Sequence, residues 1–102
     1  MARRVLTVVS GVFSFEAVVR KEGARGRRLT IPPPVVRGLR LQGWSLKNAL
    51  RAEIDPHVWT VNARRMGRST VMSVPPQCQK DPGDSVSMRL WIAAPAAREF
   101  IE

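Results

Sequence analysis

One histidine, one cysteine and eight carboxylates are the residues of this chain that could drive acid–base, nucleophilic or metal chemistry. A zinc site needs several thiolate, imidazole or carboxylate ligands at short spacings. His57 and Cys78 are each alone of their kind and cannot meet that spacing. A hydrolytic triad needs a histidine that finds both a nucleophile and an acid. His57 follows Pro56 in a stretch that offers no such motif. Glu53 and Asp55 fall on one face of a strand pattern and could form a carboxylate pair. A solvated edge, or a salt link to a nearby arginine, accounts for them equally well. Gly23 and Gly26 are not followed by Gly-Lys-Ser/Thr, so they make no phosphate loop. The chain is therefore expected not to be an enzyme and to need neither metal nor cofactor. A lone cysteine forms no intrachain disulfide. Cys78, beside Pro75 and Pro76, reads as a small buried apolar group.

Binding chemistry is better represented. Seventeen Lys+Arg against eight Asp+Glu give a formal charge of +9, and fourteen of the seventeen are Arg. Guanidinium groups hold phosphate through a planar fork of donors, so a polyanion is the expected partner. The arginines cluster around glycines at two places. Arg25, Arg27 and Arg28 follow Gly23, and Arg64, Arg65 and Arg68 flank Gly67. The competing reading is two solvated loops with ordinary surface charge. Trp44, Trp59 and Trp91 read as core or interface anchors; stacking on unpaired bases is the alternative.

These residues must be positioned by strands. The 44% apolar content argues against wholesale disorder. The start faintly mimics a signal peptide, but its apolar run is short and broken by Thr7, Ser10 and Gly11. It reads as a strand over 5–9, in a cytoplasmic protein with no membrane span. A second strand is expected over 12–20, with Phe13, Phe15, Ala17 and Val19 on one face. A charged glycine turn over 21–26 leads to a strand over 27–31, ended by Pro32-Pro33-Pro34. A helix is expected from Pro34 to about Arg40, with Val35, Val36 and Leu39 apolar, Leu41 a candidate for the same side, and Gly38 weakening it. Ser45 could cap a further turn. Leu50, Ala52 and Ile54 alternate as a strand that Asp55-Pro56 ends. Strands then follow over 58–63 and 70–74, with a basic turn over 64–68 between them. Gln77–Asp81 is too short for a stable helix. After the Pro82-Gly83-Asp84 turn, a strand over 85–92 puts Val86, Met88, Leu90 and Ile92 on one face. The tail 93–102 reads as a short helix or a frayed end.

The order repeats. Leu29-Thr30-Ile31-Pro32-Pro33 matches Met72-Ser73-Val74-Pro75-Pro76 in kind at each position. Each block follows a basic glycine turn, and each is followed by an alternating strand. Repeat one spans about 12–55 and repeat two about 56–92, within a single domain. Neither copy is long enough to bury a core alone.

Two stretches carry a family resemblance: Arg27-Arg28-Leu29-Thr30-Ile31-Pro32 with Val36-Arg37-Gly38-Leu39-Arg40-Leu41, and Gly67–Pro75 with Pro82-Gly83-Asp84-Ser85-Val86-Ser87-Met88-Arg89-Leu90. Together these resemble the AbrB/MazE/SpoVT swapped-hairpin transcription regulators. The first copy keeps the helix motif and lacks the Gly-Asp turn; the second keeps Pro-Gly-Asp and has lost most of the helix. The resemblance implies a mainly β fold with one or two short helices: a swapped-hairpin, barrel-like pseudo-dimer made by two internal repeats. It implies duplex-DNA binding and transcription regulation, with Arg25, Arg27, Arg28, Arg64, Arg65 and Arg68 as contacts. Two such turns, related by an approximate two-fold axis, are expected on one side of the molecule. The alternatives are an RNA- or ribosome-associated protein, or an antitoxin-like interaction module. A homodimer through the apolar side of the first helix is also expected, since copy two offers that side no equivalent partner. If the copies share one core, segments 1–55 and 56–102 expressed separately stay unfolded or aggregate, and circular dichroism recovers on mixing. A folded, monomeric half would refute the shared core.

Overall fold

The computed structural model describes residues 7–9 and 11–93. The expected tail element beyond Ala93 lies outside the described residues, as do positions 5 and 6 of the first strand. Within the described residues, nine strands, one helix and one short 3₁₀ turn make a mainly β fold. In chain order these are β1 (Thr7–Val9), β2 (Val12–Val18), β3 (Arg20–Glu22), β4 (Gly26–Ile31), α1 (Pro33–Leu41), β5 (Leu50–Ile54), β6 (His57–Val61), β7 (Arg64–Met66), β8 (Ser69–Ser73), the 3₁₀ turn (Pro76–Cys78) and β9 (Ser85–Ile92). They form two antiparallel sheets, ordered β1-β2-β9-β5-β6 and β3-β4-β8-β7. β1 and β6 remain edges of one sheet, and β3 and β7 edges of the other. Among the described residues no barrel closes, contrary to the expected barrel-like body.

Period-2 alternation decides which side chains face inward. Phe13 and Phe15 on β2 lie opposite Leu90 and Met88 on β9; Leu50 and Ala52 on β5 lie opposite Ile92 and Leu90. In the second sheet Leu29 faces Met72, and Ile31 faces Thr70. These inner faces, together with Val35 and Leu39 of α1, enclose one core. The chain passes between sheets four times, twice through α1 or the 3₁₀ turn and twice at tight corners. Val19, fully buried, turns β2 into β3, and Ala63 lies in the short link between β6 and β7. The first corner is fastened from outside: the Val19 N–H donates to the Asp84 carbonyl, and the Gly83 N–H donates to the Val19 carbonyl, each at 2.8 Å.

Prolines set the start of α1. Pro32 caps it without a side-chain bond, and Pro33 opens it. Gly43 ends it at φ +97°, donating to Arg40 O at 3.0 Å, while Trp44 N–H returns to Leu39 O at 3.0 Å. Two expectations for this helix are corrected. Leu41 is 89% exposed, because it lies at the helix end beyond reach of the core. Val35 and Leu39 are fully buried and Val36 packs against the core, so the apolar side expected to stand open for a second chain is filled from within. Ser45 caps no helix. Its N–H and hydroxyl donate to Asn48 Oδ1 at 3.0 and 3.2 Å, closing a turn. No described helix is long and apolar enough to cross a membrane.

Gly38 has a role that its helix propensity conceals. A Cβ there would lie 2.5 Å from the Phe13 ring, so the missing side chain is the seat of Phe13 on α1. Gly38→Ala is therefore expected to destabilise by about 1–3 kcal/mol despite its gain in propensity. Urea unfolding checks the sign: a stabilised variant would show that Phe13 and α1 do not meet this closely.

Candidate nucleic-acid interface

Directly paired residues of an antiparallel sheet share a face, so the ladders place each arginine. The outer face of the four-stranded sheet carries Arg20 and Glu22 on β3, Arg28 and Thr30 on β4, Val71 and Ser73 on β8, and Arg64 on β7. Arg64 and Glu22, on opposite edge strands, form an ion pair over this face, and Arg64 also donates to Ser73 Oγ at 3.3 Å. Gly26 lies opposite Glu22, and the two backbones approach so closely that a Cβ there would come within 2.5 Å of the Glu22 carbonyl oxygen. Arg28 donates to the Lys21 carbonyl at 2.7 Å, which holds its stem along the sheet.

The six arginines singled out from sequence separate into four settings. Arg25 is exposed in the turn between β3 and β4. Arg28 and Arg64 stand on the outer sheet face. Arg65 and Arg68 turn toward α1 and line a groove there with Arg37 and Arg40. Arg27 is engaged internally: its Nε donates to Lys80 O at 3.2 Å, its Nη1 to Gly26 O at 3.0 Å, and Nη2 lies 4.0 Å from the Asp81 carboxylate. It clips the loop before β9 to the first hairpin. Arg64 and Arg65, read from sequence as turn residues, belong to β7, because a three-residue strand is too short to show alternation. The two turns do not lie side by side. β4 separates them end to end, and six residues of strand span about 20 Å. Both remain at the margins of one sheet.

Three other carboxylates lie away from this face. Glu16, Glu53 and Asp55 line a depression on the outer face of the five-stranded sheet, where Glu53 pairs with Arg89 at 3.2 Å. That salt link is the ordinary reading of Glu53. Among the described residues no group of three metal-ligating side chains forms. Cys78 is buried, and burial pushes its thiol pKa up, against a smaller lowering by Lys80. Trp44 is buried, its Nε1 donating to Asn48 O at 3.0 Å, while Trp59 and Trp91 are half-buried on opposite faces of their sheet. Arg20, Arg37 and Arg40 do not belong to the glycine-flanked clusters and so escape a reading built on them. The i, i+3 spacing of Arg37 and Arg40 is the signal that could find them, since it puts both on one helix face.

No protein-family model matches the chain, and neither a curated protein nor a solved structure matches it.

The bonding of Arg27 separates it from its neighbour. Arg27→Ala is expected to cost about 1 kcal/mol of stability through its lost hydrogen bonds. Arg28→Ala should stay within about 0.5 kcal/mol of the parent. Chemical denaturation of both variants checks this; equal losses would deny Arg27 its clip role.

Proposed function

We propose that this protein binds duplex DNA as an AbrB-like transcriptional regulator, using both halves of one chain as the pseudo-dimer. The observation that carries this reading is the pairing of the two basic hairpins through β4 and β8. Together they make one sheet with Arg20, Arg28 and Arg64 on its outer face, Arg25 at one end and Arg68 at the other. A β surface of this kind tracks phosphates with long cationic side chains while the sheet supplies rigidity.

Strand order supports the same reading. From its centre outward, the four-stranded sheet reads β4 against β8, then β3 and β7. In the five-stranded sheet, β5 lies against β9, flanked by β6 and β2. Equating β2 with β6, β3 with β7, β4 with β8 and β5 with β9 makes both strand orders two-fold, which agrees with the paired Pro-Pro motifs. α1 then corresponds to the shorter 3₁₀ turn after Pro75. The charge distribution also favours it. Arg20, Arg28 and Arg64 against the single carboxylate Glu22 leave the outer face of the four-stranded sheet net positive, which favours a polyanion there.

Affinity for a short duplex, single-stranded DNA and structured RNA, each measured across a salt series, tests the reading. The expected result is a steep slope on duplex DNA. Replacing Arg28 and Arg68 with Ala should lower that slope by about two units. Tighter, steeper binding to structured RNA would transfer the same face to an RNA partner. A slope unchanged by both substitutions would remove the face from binding altogether.

A further inference from the structure

The groove between α1 and the β7–β8 hairpin encloses about 260 Å³. Four arginines line it: Arg37 and Arg40 from the helix, Arg65 and Arg68 from the hairpin. None of the lining residues is acidic, and none of these four guanidinium groups makes an ion pair among the described residues. Four like charges around one opening repel each other, and an anion between them relieves that repulsion. The remaining wall divides by chemistry. Thr30, Ser69 and Thr70 are the neutral polar residues along it, and Ile31, Pro33 and Val36 the apolar ones. Two of the arginines are held in place. The Arg40 guanidinium lies 6.0 Å from the centre of the Trp44 ring, and Arg65 Nη2 donates to Gly67 O at 3.2 Å. Held cationic groups lose less freedom on binding than loose ones.

We infer that this groove is a discrete phosphate-binding site, formed only where the first half's helix meets the second half's hairpin. Guanidinium forks suit the tetrahedral oxygens of a phosphate group. The aliphatic wall accommodates the organic part of a phosphate ester. The 3₁₀ turn that replaces the helix after Pro75 carries no arginine, so the counterpart position in the second half lacks the helix-borne pair of charges. Among the described residues the site is single, and it breaks whatever symmetry the two sheets possess. It rests on the polyanion part of the DNA-binding reading alone. The phosphate can be a backbone phosphate of bound DNA or that of a free small molecule.

The full chain, with its arginine Nε–H signals observed by NMR, is titrated with inorganic phosphate, with pyrophosphate and with a short duplex. Chloride at matched ionic strength is the control. The expected result is selective movement of the Arg37, Arg40, Arg65 and Arg68 signals, with those of Arg51 and Arg89 still. Arg37→Gln/Arg40→Gln and Arg65→Gln/Arg68→Gln should each weaken binding about tenfold or more. Response to phosphate and pyrophosphate identifies a free phosphorylated ligand; response to duplex alone identifies the DNA backbone. Either outcome supports the site, and a phosphate response stands even if duplex binding fails. Movement no larger than chloride produces, with all three probes, would overturn it. Titration of the unsubstituted chain decides between these outcomes even if a variant unfolds.

Discussion

The antiparallel seam between β4 and β8 is the constraint on which the rest of this molecule depends. Each strand carries one inward row: Leu29 and Ile31 on the first, Met72 and Thr70 on the second. Burying a large aliphatic side chain is worth about 1.5–3 kcal/mol, and here the burial is possible only when the two halves meet. Val74 N–H, donating to Arg27 O at 2.9 Å, carries the seam one residue past the ladder. Once the seam is fixed, the corners at Val19 and Ala63 deliver β2 and β6 to the other sheet, where β2 flanks a strand from the opposite half and so does β6. α1 follows because Pro32 ends β4 and the helix has to fold back over the inner rows.

The same seam governs where charge goes. A strand with one face committed to the core has only the other for polar groups, and each of β3, β4 and β7 places one arginine there: Arg20, Arg28 and Arg64. Val71, on that outer face, is only 1% exposed. It lies directly opposite Arg64, whose extended stem is the kind of side chain that covers apolar surface beneath a charged head. Charge and packing are thus joined in one residue. The Glu22 partner fixes the Arg64 head while Arg20 and Arg28 keep the face positive.

How much of this is legible in the sequence follows from the length of each signal. β5 and β9 announce themselves because apolar residues alternate over five or more positions, and their inward residues are those the alternation names. Proline marks the ends of β4 and β8 within a residue or so, since it cannot donate to a ladder. β3 and β7 stay hidden because three residues hold no period. Gly38 reads as a cost, because propensity is a property of the helix alone and the Phe13 ring belongs to a distant strand. Arg27 looks identical to Arg28 for the same reason: its partners at Lys80 and Asp81 lie far along the chain. The groove is illegible because two pairs of arginines meet only when the helix and the second hairpin have been folded together.

The interleaving of the two halves has a consequence for how the chain reaches this state. During synthesis, β2 and β4 emerge before any strand they will pair with in the second half. β4 must wait for β8, and β2 for β9, the last described strand. α1 and the local hairpins β1–β2, β3–β4, β5–β6 and β7–β8 can form early, and a two-stranded hairpin alone is marginal in water. The β4–β8 seam is deferred until β8 is available and closure of the five-stranded sheet until β9, which gives a high contact order and slow, late folding. In that interval the Phe13, Phe15, Leu29 and Ile31 rows are uncovered, and the arginines between them keep neighbouring nascent chains apart by repulsion. The basic residues that face outward in the finished protein thus also protect the unfinished one.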